Sequence, residues 1–476
     1  MKVERSKYLV QVKPVLKELV DELLKEYSYV SLLAIDSKEK SYRISKNGTA
    51  ISGAGFLSGR GFVIKVYDGK GYVEYSFNEI TKELVPEIVK EVKAKLATSA
   101  ELLPENVELS NYAVLKDEPC TFMESNEYKQ HPDELGDKAL IEHISKIREK
   151  ALAYDERILD CATMCDYQCV SKLFLSKNRD MEQNIMWMTG GVAVMASKGE
   201  EIKDYYKGYS LLGGAEVLED MDKDVESVAK VTLELLDSEP MVPGDYDCIC
   251  TPEVTGMIVH EAFGHGVEMD MFVKKRALAE KYVGEYVASE LVTMHDGAAA
   301  ASETATYFFD DEGVLAKDTI VIDKGILKQG ISDAQSAMHL GTEPTGNGRR
   351  QHFDHKAYTR MTNTFFEGGK DKLEDMIASI SYGFMLENAT SGMEDPKNWG
   401  IQCMVNIARE IKDGKFTGKI YSPIVLTGYV PDLLKSISMM SEEVQLGGGG
   451  FCGKGYKEWV KVSDGGPYIK ARIRLG

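Results

Sequence analysis

Residues 260–270 read HEAFGHGVEMD, with His260 beside Glu261 and His265 five positions after His260. The chain holds only 8 His in 476 residues. At that density a chance H-E-x-x-x-H is about a one-in-a-hundred event. In helical zinc hydrolases two His four apart hold the ion, and the Glu after the first acts as general base. Here the spacing is one residue longer. On a regular α-helix, side chains five apart differ by about 140° in direction and cannot reach one ion. A π-bulge cuts that offset to about 50°. A helix break at Gly264 is the alternative, because glycine makes a break cheap. The spacing therefore predicts an irregular helix carrying His260 and His265 as metal ligands and Glu261 as base. The same letters also describe a plain helix with two satisfied polar His on its sides.

Zinc needs at least one more protein donor. Glu268 and Asp270 stand close by, as ligands or as groups that orient the imidazoles. Far downstream, LGGGGFCGKG (446–455) carries Cys452. Its glycines let the backbone come close to another group, and Lys454 would favour a thiolate. Other clusters point less sharply. Cys161, Cys165 and Cys169 are spaced for one helix face, but their surroundings read as strands, which favours core or loop thiols over a second metal site. FFDDEGV (308–314) reads either as a solvated turn or as a structural turn lining the site. TGNGRR (345–350) could cradle an anion, but lacks the Lys-Ser/Thr ending of a phosphate loop. His352 and His355 are candidates to meet substrate or to support the site.

HEAFGHGVEMD, VASELVTMHDG, FFDDEGV, TGNGRR, RMTNTFFEGG (360–369) and GGGGFCGKG, in that order, resemble the TldD/PmbA family of zinc peptidases over nearly the whole chain. The resemblance implies zinc, one per chain, on His260, His265 and Cys452, with Glu261 as base. PmbA-like members lack the metal motif; this chain keeps it and is similar to the TldD-like, catalytic kind. The resemblance further implies a dimer, either of like subunits or with a PmbA-like chain, acting on unfolded peptides. The chain departs from the family pattern at His295 and at AAAAS (298–302), both outside that ligand set.

The elements that must position these residues fall into three segments. VKPVLKELVDELLKEY repeats apolar residues at helical spacing. Strand-like runs follow, the last a hairpin turning at Asp68-Gly69, and then a helix over about 79–100. A second segment opens near LLPENVELS, with a helix over about 133–153, strands over about 156–212 and a closing charged helix. The link SEPMVPGDYD ends it near 240. We expect residues 1–104 as an N-terminal α/β domain, 105–240 as a central α/β domain and 241–476 as the zinc-binding catalytic domain. The class is α+β: a two-layer N-terminal part with antiparallel strands, then a β-rich metal-binding C-terminal part.

Net charge is −19, which repels phosphate backbones and argues against nucleic acid as a partner. No apolar run reaches the length of a membrane span, and MKVERSKYLV lacks a signal-peptide core. Eight thinly spread Cys suit a reducing compartment. The expectation is a cytoplasmic zinc-dependent metallopeptidase that hydrolyses unfolded or short peptides. The alternatives are a non-catalytic peptide-binding subunit with structural zinc, and a cysteine hydrolase using Cys452.

Overall fold

The computed structural model of the chain describes residues 1–53, 55, 57–101, 113–455 and 457–476. Helix α1 (Lys7–Leu24) starts where Ser6 Oγ accepts a hydrogen bond from the Leu9 N–H at 3.1 Å. Its apolar stripe, Leu9, Val12, Leu16, Leu19, Val20 and Leu23, is buried. The stripe lies on one face of an eight-stranded sheet. The strands are β1 (Tyr29–Ser45), β2 (Gly48–Ser52), β3 (Gly59–Tyr67), β4 (Tyr72–Phe77), β5 (Cys120–Ser125), β6 (Ile158–Ser176), β7 (Arg179–Lys198) and β8 (Glu201–Leu211). Their order is β4-β3-β1-β6-β7-β5, with β2 on β1 and β8 on β7.

The expected boundary at 104/105 lies outside the described residues, but the sheet corrects the two-domain reading. β1 pairs antiparallel with β6 from Ser31↔Ser176 to Ile44↔Thr163. Strands from both expected domains therefore form one sheet. Hairpin signals are local and legible in sequence. A ladder between strands more than a hundred residues apart leaves no local mark. The helix expected over about 133–153 also divides, into α3 (Pro132–Leu135) and α4 (Asp137–Tyr154), at Gly136 with φ 79°. Only glycine takes that conformation without strain.

Residue parity sorts the two faces. Leu32 and Leu175 pack under α1 and α2 (Val85–Glu101), while Cys161, Cys165 and Val192 pack under α4 and α5 (Leu218–Leu235). The three thiols of the C-x₃-C-x₃-C run thus sit on a strand; burial pushes each up to about 12. The opposite face presents Leu33, Val63 and Phe174 to Phe309 of the C-terminal half.

From Gly244 onward the chain is β-rich. The strand Gly244–Cys250 lies between Tyr382–Asp395, parallel to it, and Ile469–Leu475, antiparallel, in a seven-stranded sheet. A six-stranded sheet includes Met294–Asp296, Asn363–Phe366, Ser463–Gly466 and the edge strand Gln445–Gly447. Val254, Ile258, Val259, Ala262 and Phe263, from the helix bearing His260, are buried in the main C-terminal core. The molecule is α+β.

A polar seam ties the two halves together. FFDDEGV is a buried structural turn: Asp310, Asp311 and Glu312 are all largely shielded from solvent. Asp310 Oδ1 accepts from the Glu312 and Val314 N–H groups, and its Oδ2 from Gly348 N–H at 2.8 Å. Asp311 Oδ2 accepts from Arg350 N–H. The anion that TGNGRR cradles is therefore the protein's own. Lys172 pairs with Asp311 and Lys65 with Glu312, each at 2.5 Å, and Arg350 reaches Glu74 at 2.9 Å.

Because β6 supplies the second edge of β1, a fragment of residues 1–104 should expose a long apolar strand edge. We predict no cooperative urea transition for that fragment and a cooperative one for the full chain, both followed by circular dichroism. A cooperative transition in the fragment would restore the separate-domain reading.

Candidate metal centre

Thr251 precedes a short α-helix, Pro252–Met257, that opens with Pro252 in its first turn. The helix then widens. Ile258–Gly264 is π-helical, and His265–Val267 tightens to a 3₁₀ turn. This is the first of the two irregularities that the five-residue spacing requires. Close packing keeps the helix where it is. A Cβ at Gly256 would meet the Gly465 N at 2.6 Å, and one at Gly264 would meet Met361 Sδ at 2.2 Å.

The wider turn brings both imidazoles to one thiol. Cys452 Sγ lies 3.1 Å from His260 Nε2 and 3.2 Å from His265 Nε2. All three donor atoms fall within 4.8 Å of one another, and among the described residues this is the one such group of three. Burial opposes charge on each of them. The two imidazoles nonetheless hold the Cys452 thiol well below its ordinary pKa, and the thiolate in turn raises both imidazoles. Lys454 does not stabilise the thiolate, contrary to the sequence reading. Its Nζ lies 2.8 Å from both Glu268 Oε2 and Asp270 Oδ1.

Glu268 and Asp270, the alternative donors, point elsewhere. Glu268 Oε2 faces His265 Nδ1, the nitrogen away from Cys452, at 3.6 Å. Burial raises the Glu268 carboxyl, but Lys454 and His265 outweigh it and hold the group ionised. Arg360, fully buried, reaches Glu268 Oε1 from Nε at 3.3 Å and donates from Nη1 to the Glu458 carbonyl. Glu268 is therefore a hub that fixes the His265 ring. Near His260 stands Asp464, which no sequence motif announces, with its Oδ2 4.0 Å from Nδ1. Burial pushes Asp464 up to about 6.

Glu261 sits beside the donors. Its Oε2 is 3.9 Å from His265 Nε2, and burial raises its pKa. Glycine makes the room: a Cβ at Gly392 would meet Glu261 Cγ at 2.4 Å. Glu394, on the same strand as Gly392, is the second group the sequence reading missed. Burial raises it well above its usual range, against the field of His265 and the nearby Gly266 N–H. The remaining sequence candidates do not join this group. His352 Nδ1 pairs with Asp354 at 2.6 Å, and His355 Nδ1 with Glu458 at 3.1 Å. His295 bridges Asp318 and Glu367 and stacks on Phe365.

Two imidazole nitrogens and one thiolate, with His260 and Cys452 buried and His265 half-buried, match the donor preference of a borderline-soft divalent ion such as zinc. A carboxylate faces the other nitrogen of His265, as is usual around metal-bound His, whereas Asp464 stays 4.0 Å from His260 Nδ1, beyond hydrogen-bond reach. The donors fit a metal on chemistry alone.

Residues 243–474 match the PmbA/TldA metallopeptidase C-terminal domain family. A metalloprotease of Methanothermobacter thermautotrophicus is 32% identical over 282 residues, covering 58% of this chain and 61% of the relative. A zinc metalloprotease TldD homolog of Saccharolobus solfataricus is 28% identical over 261 residues, covering 54% and 57%. The chain thus spans less than two thirds of the length of either relative. The fold extends further than these matches. TldE from Thermococcus kodakarensis superposes with a TM-score of 0.73 at 20% identity, covering 97% of this chain and 99% of that one.

If Glu268 orients His265, replacing it by Gln should weaken zinc binding about 10–100-fold. Competition against a chelating dye measures this. Parental affinity in Glu268→Gln would show the ring to be held by packing alone.

Proposed function

The chain belongs to the TldD/PmbA family through its C-terminal half, and on that premise we propose that it is a zinc-dependent metallopeptidase acting on unfolded or short peptides. The observation that carries the reading is the meeting of His260, His265 and Cys452 beside Glu261. In this reading the two Nε2 atoms and Cys452 Sγ hold one zinc per chain. Bound zinc polarises a carbonyl and makes water more acidic. The chain's own residues do the rest. Glu268 orients the His265 imidazole. Glu261 Oε2 takes a proton from the attacking water and returns it to the leaving amine nitrogen. Burial of the helix and hairpin around the donors keeps bulk water away.

Recognition of the peptide through its main chain is supported by the strand Gln445–Gly447. It forms an edge of the six-stranded sheet shortly before Cys452. A Cβ added at Gly447, Gly449 or Gly450 would meet nothing within 4 Å. An exposed strand edge can pair with an extended peptide through its backbone while reading little of its sequence. A folded substrate cannot offer that backbone. No helix among the described residues is long and apolar enough to cross a membrane. The partner expected from the family is a second subunit, either like this one or PmbA-like. A cysteine-hydrolase reading rests on the same thiolate–imidazole contacts.

Two experiments test the proposal. Elemental analysis should find one zinc per chain, lost in His260→Ala, His265→Ala and Cys452→Ala and kept when Cys161, Cys165 and Cys169 are all replaced. Full zinc retention in Cys452→Ala removes Cys452 from the ligand set. Glu261→Ala should keep zinc and fold while cleavage of an unstructured peptide falls about 10²–10⁴-fold. The same sequence locked in a stable domain should resist cleavage. Parental rates in Glu261→Ala reject the base assignment, and activity that survives chelation points to a cysteine nucleophile instead.

A further inference from the structure

Cys452 stands on a hairpin, Phe451–Lys454 with Lys457–Lys461, whose own ladder joins no third strand among the described residues. The hairpin runs out of the paired strands Gln445–Gly447 and Ser463–Gly466 of the six-stranded sheet, and Arg360 holds its second strand through the Glu458 carbonyl. Those contacts anchor its base and its second strand, while the first strand, which carries Cys452, needs a further support. Cys452 is paired with Val460, and both are buried. Phe451 is paired with Lys461, and alternation turns these two to the other side of the hairpin.

On that other side lies β7 of the N-terminal sheet. The Phe451 and Trp187 rings meet edge to face, 6.1 Å between centroids. Lys461 Nζ sits 4.4 Å from the Phe451 centroid and 4.6 Å from that of Trp187. Only 4% of Lys461 and 5% of Trp187 is exposed. Lysine normally keeps its ammonium in water, so an amine held dry between two rings marks a deliberate contact. That amine has no hydrogen-bond partner among the described residues. Burial pulls its pKa down to about 7, against the fields of Glu303, Asp166 and Glu39. The N-terminal sheet has a second handle on the same segment: Ser210 Oγ, on β8, accepts from the Gly448 N–H at 2.7 Å. The turn end of the hairpin is held separately, by Lys454 on Glu268 and Asp270.

We infer that the N-terminal sheet sets the position of the Cys452 thiolate, with Trp187 as the positioning residue that grips the hairpin through Phe451 and Lys461. The sheet donates no atom to the candidate metal centre, yet the centre depends on it. The inference rests on the metal reading above only for its consequence, the strength of metal binding. The grip itself is a property of the protein without metal.

The test uses the full chain with Trp187→Leu, and Trp187→Phe as the conservative variant. Loaded with cobalt(II), the parental protein should show a thiolate-to-metal charge-transfer band. In Trp187→Leu that band should fall by at least about half, and zinc affinity, read by dye competition, should drop about 10–100-fold. Trp187→Phe should restore most of both. The parental band and the parental zinc constant in Trp187→Leu overturn the inference, whatever happens to the unfolding midpoint. Should the parental protein bind neither metal, the metal reading fails by itself and the grip is read from Cys452 alkylation by iodoacetamide, mapped by mass spectrometry. That rate should rise about tenfold in Trp187→Leu, as for a cysteine freed from a buried microenvironment, and an unchanged rate overturns the inference. If Trp187→Leu does not fold, Phe451→Ala removes the other half of the contact and carries the same expectations.

Discussion

A thiolate buried between two imidazoles constrains much of the C-terminal half. Burying a charge is costly unless it is paired and hydrogen-bonded. Cys452 meets that cost with His260 and His265, and His265 with Glu268. Glu268 in turn needs Lys454 and Arg360. Lys454 returns to the Cys452 hairpin, which closes the loop of charges. Removing any one member weakens the pairing of the others in a dry place. The helix, the hairpin and the segment around Arg360 are therefore held as one unit although they are far apart in sequence.

The backbone around this loop is shaped to let it close. A regular helix could not turn both imidazoles inward, so one stretch of it is π-helical. The widened helix must still pass between two sheets, and glycines at 256, 264 and 392 remove the atoms that would collide. Glu261 occupies the space vacated at Gly392. The same economy appears at the seam between the halves. There the N–H groups of Gly348 and Arg350 satisfy Asp310 and Asp311, and lysines of the N-terminal sheet satisfy Asp311 and Glu312. Buried carboxylates that would separate the halves instead join them.

The two halves have different tasks. The N-terminal sheet, covered by helices on one face, gives its other face to the C-terminal half through Leu33, Val63 and Phe174. It contributes no metal donor, but Trp187 and Ser210 lie against the glycine-rich segment that carries Cys452. A two-stranded hairpin is at best marginally stable alone. Side-chain contacts from a neighbouring sheet are an economical way to hold one without extending its ladder.

The sequence by itself determined the periodicities and the chemistry of single residues. It marked α1, the Asp68-Gly69 hairpin and the irregular helix that H-E-x-x-x-H demands, because each depends on neighbours within a few positions. It also picked out His260, His265, Glu261 and Cys452 as residue types able to hold a metal or move a proton. Tertiary structure alone decided their relations. It paired β1 with β6 and so merged two expected domains into one sheet. It turned Lys454 towards Glu268 instead of the thiolate, set Glu268 behind His265, and brought Asp464 and Glu394 to a site that their own surroundings in sequence do not announce. The reason is physical. Periodicity records which face of an element is buried, whereas the partner it is buried against, and the charges that meet there, depend on contacts between residues hundreds of positions apart.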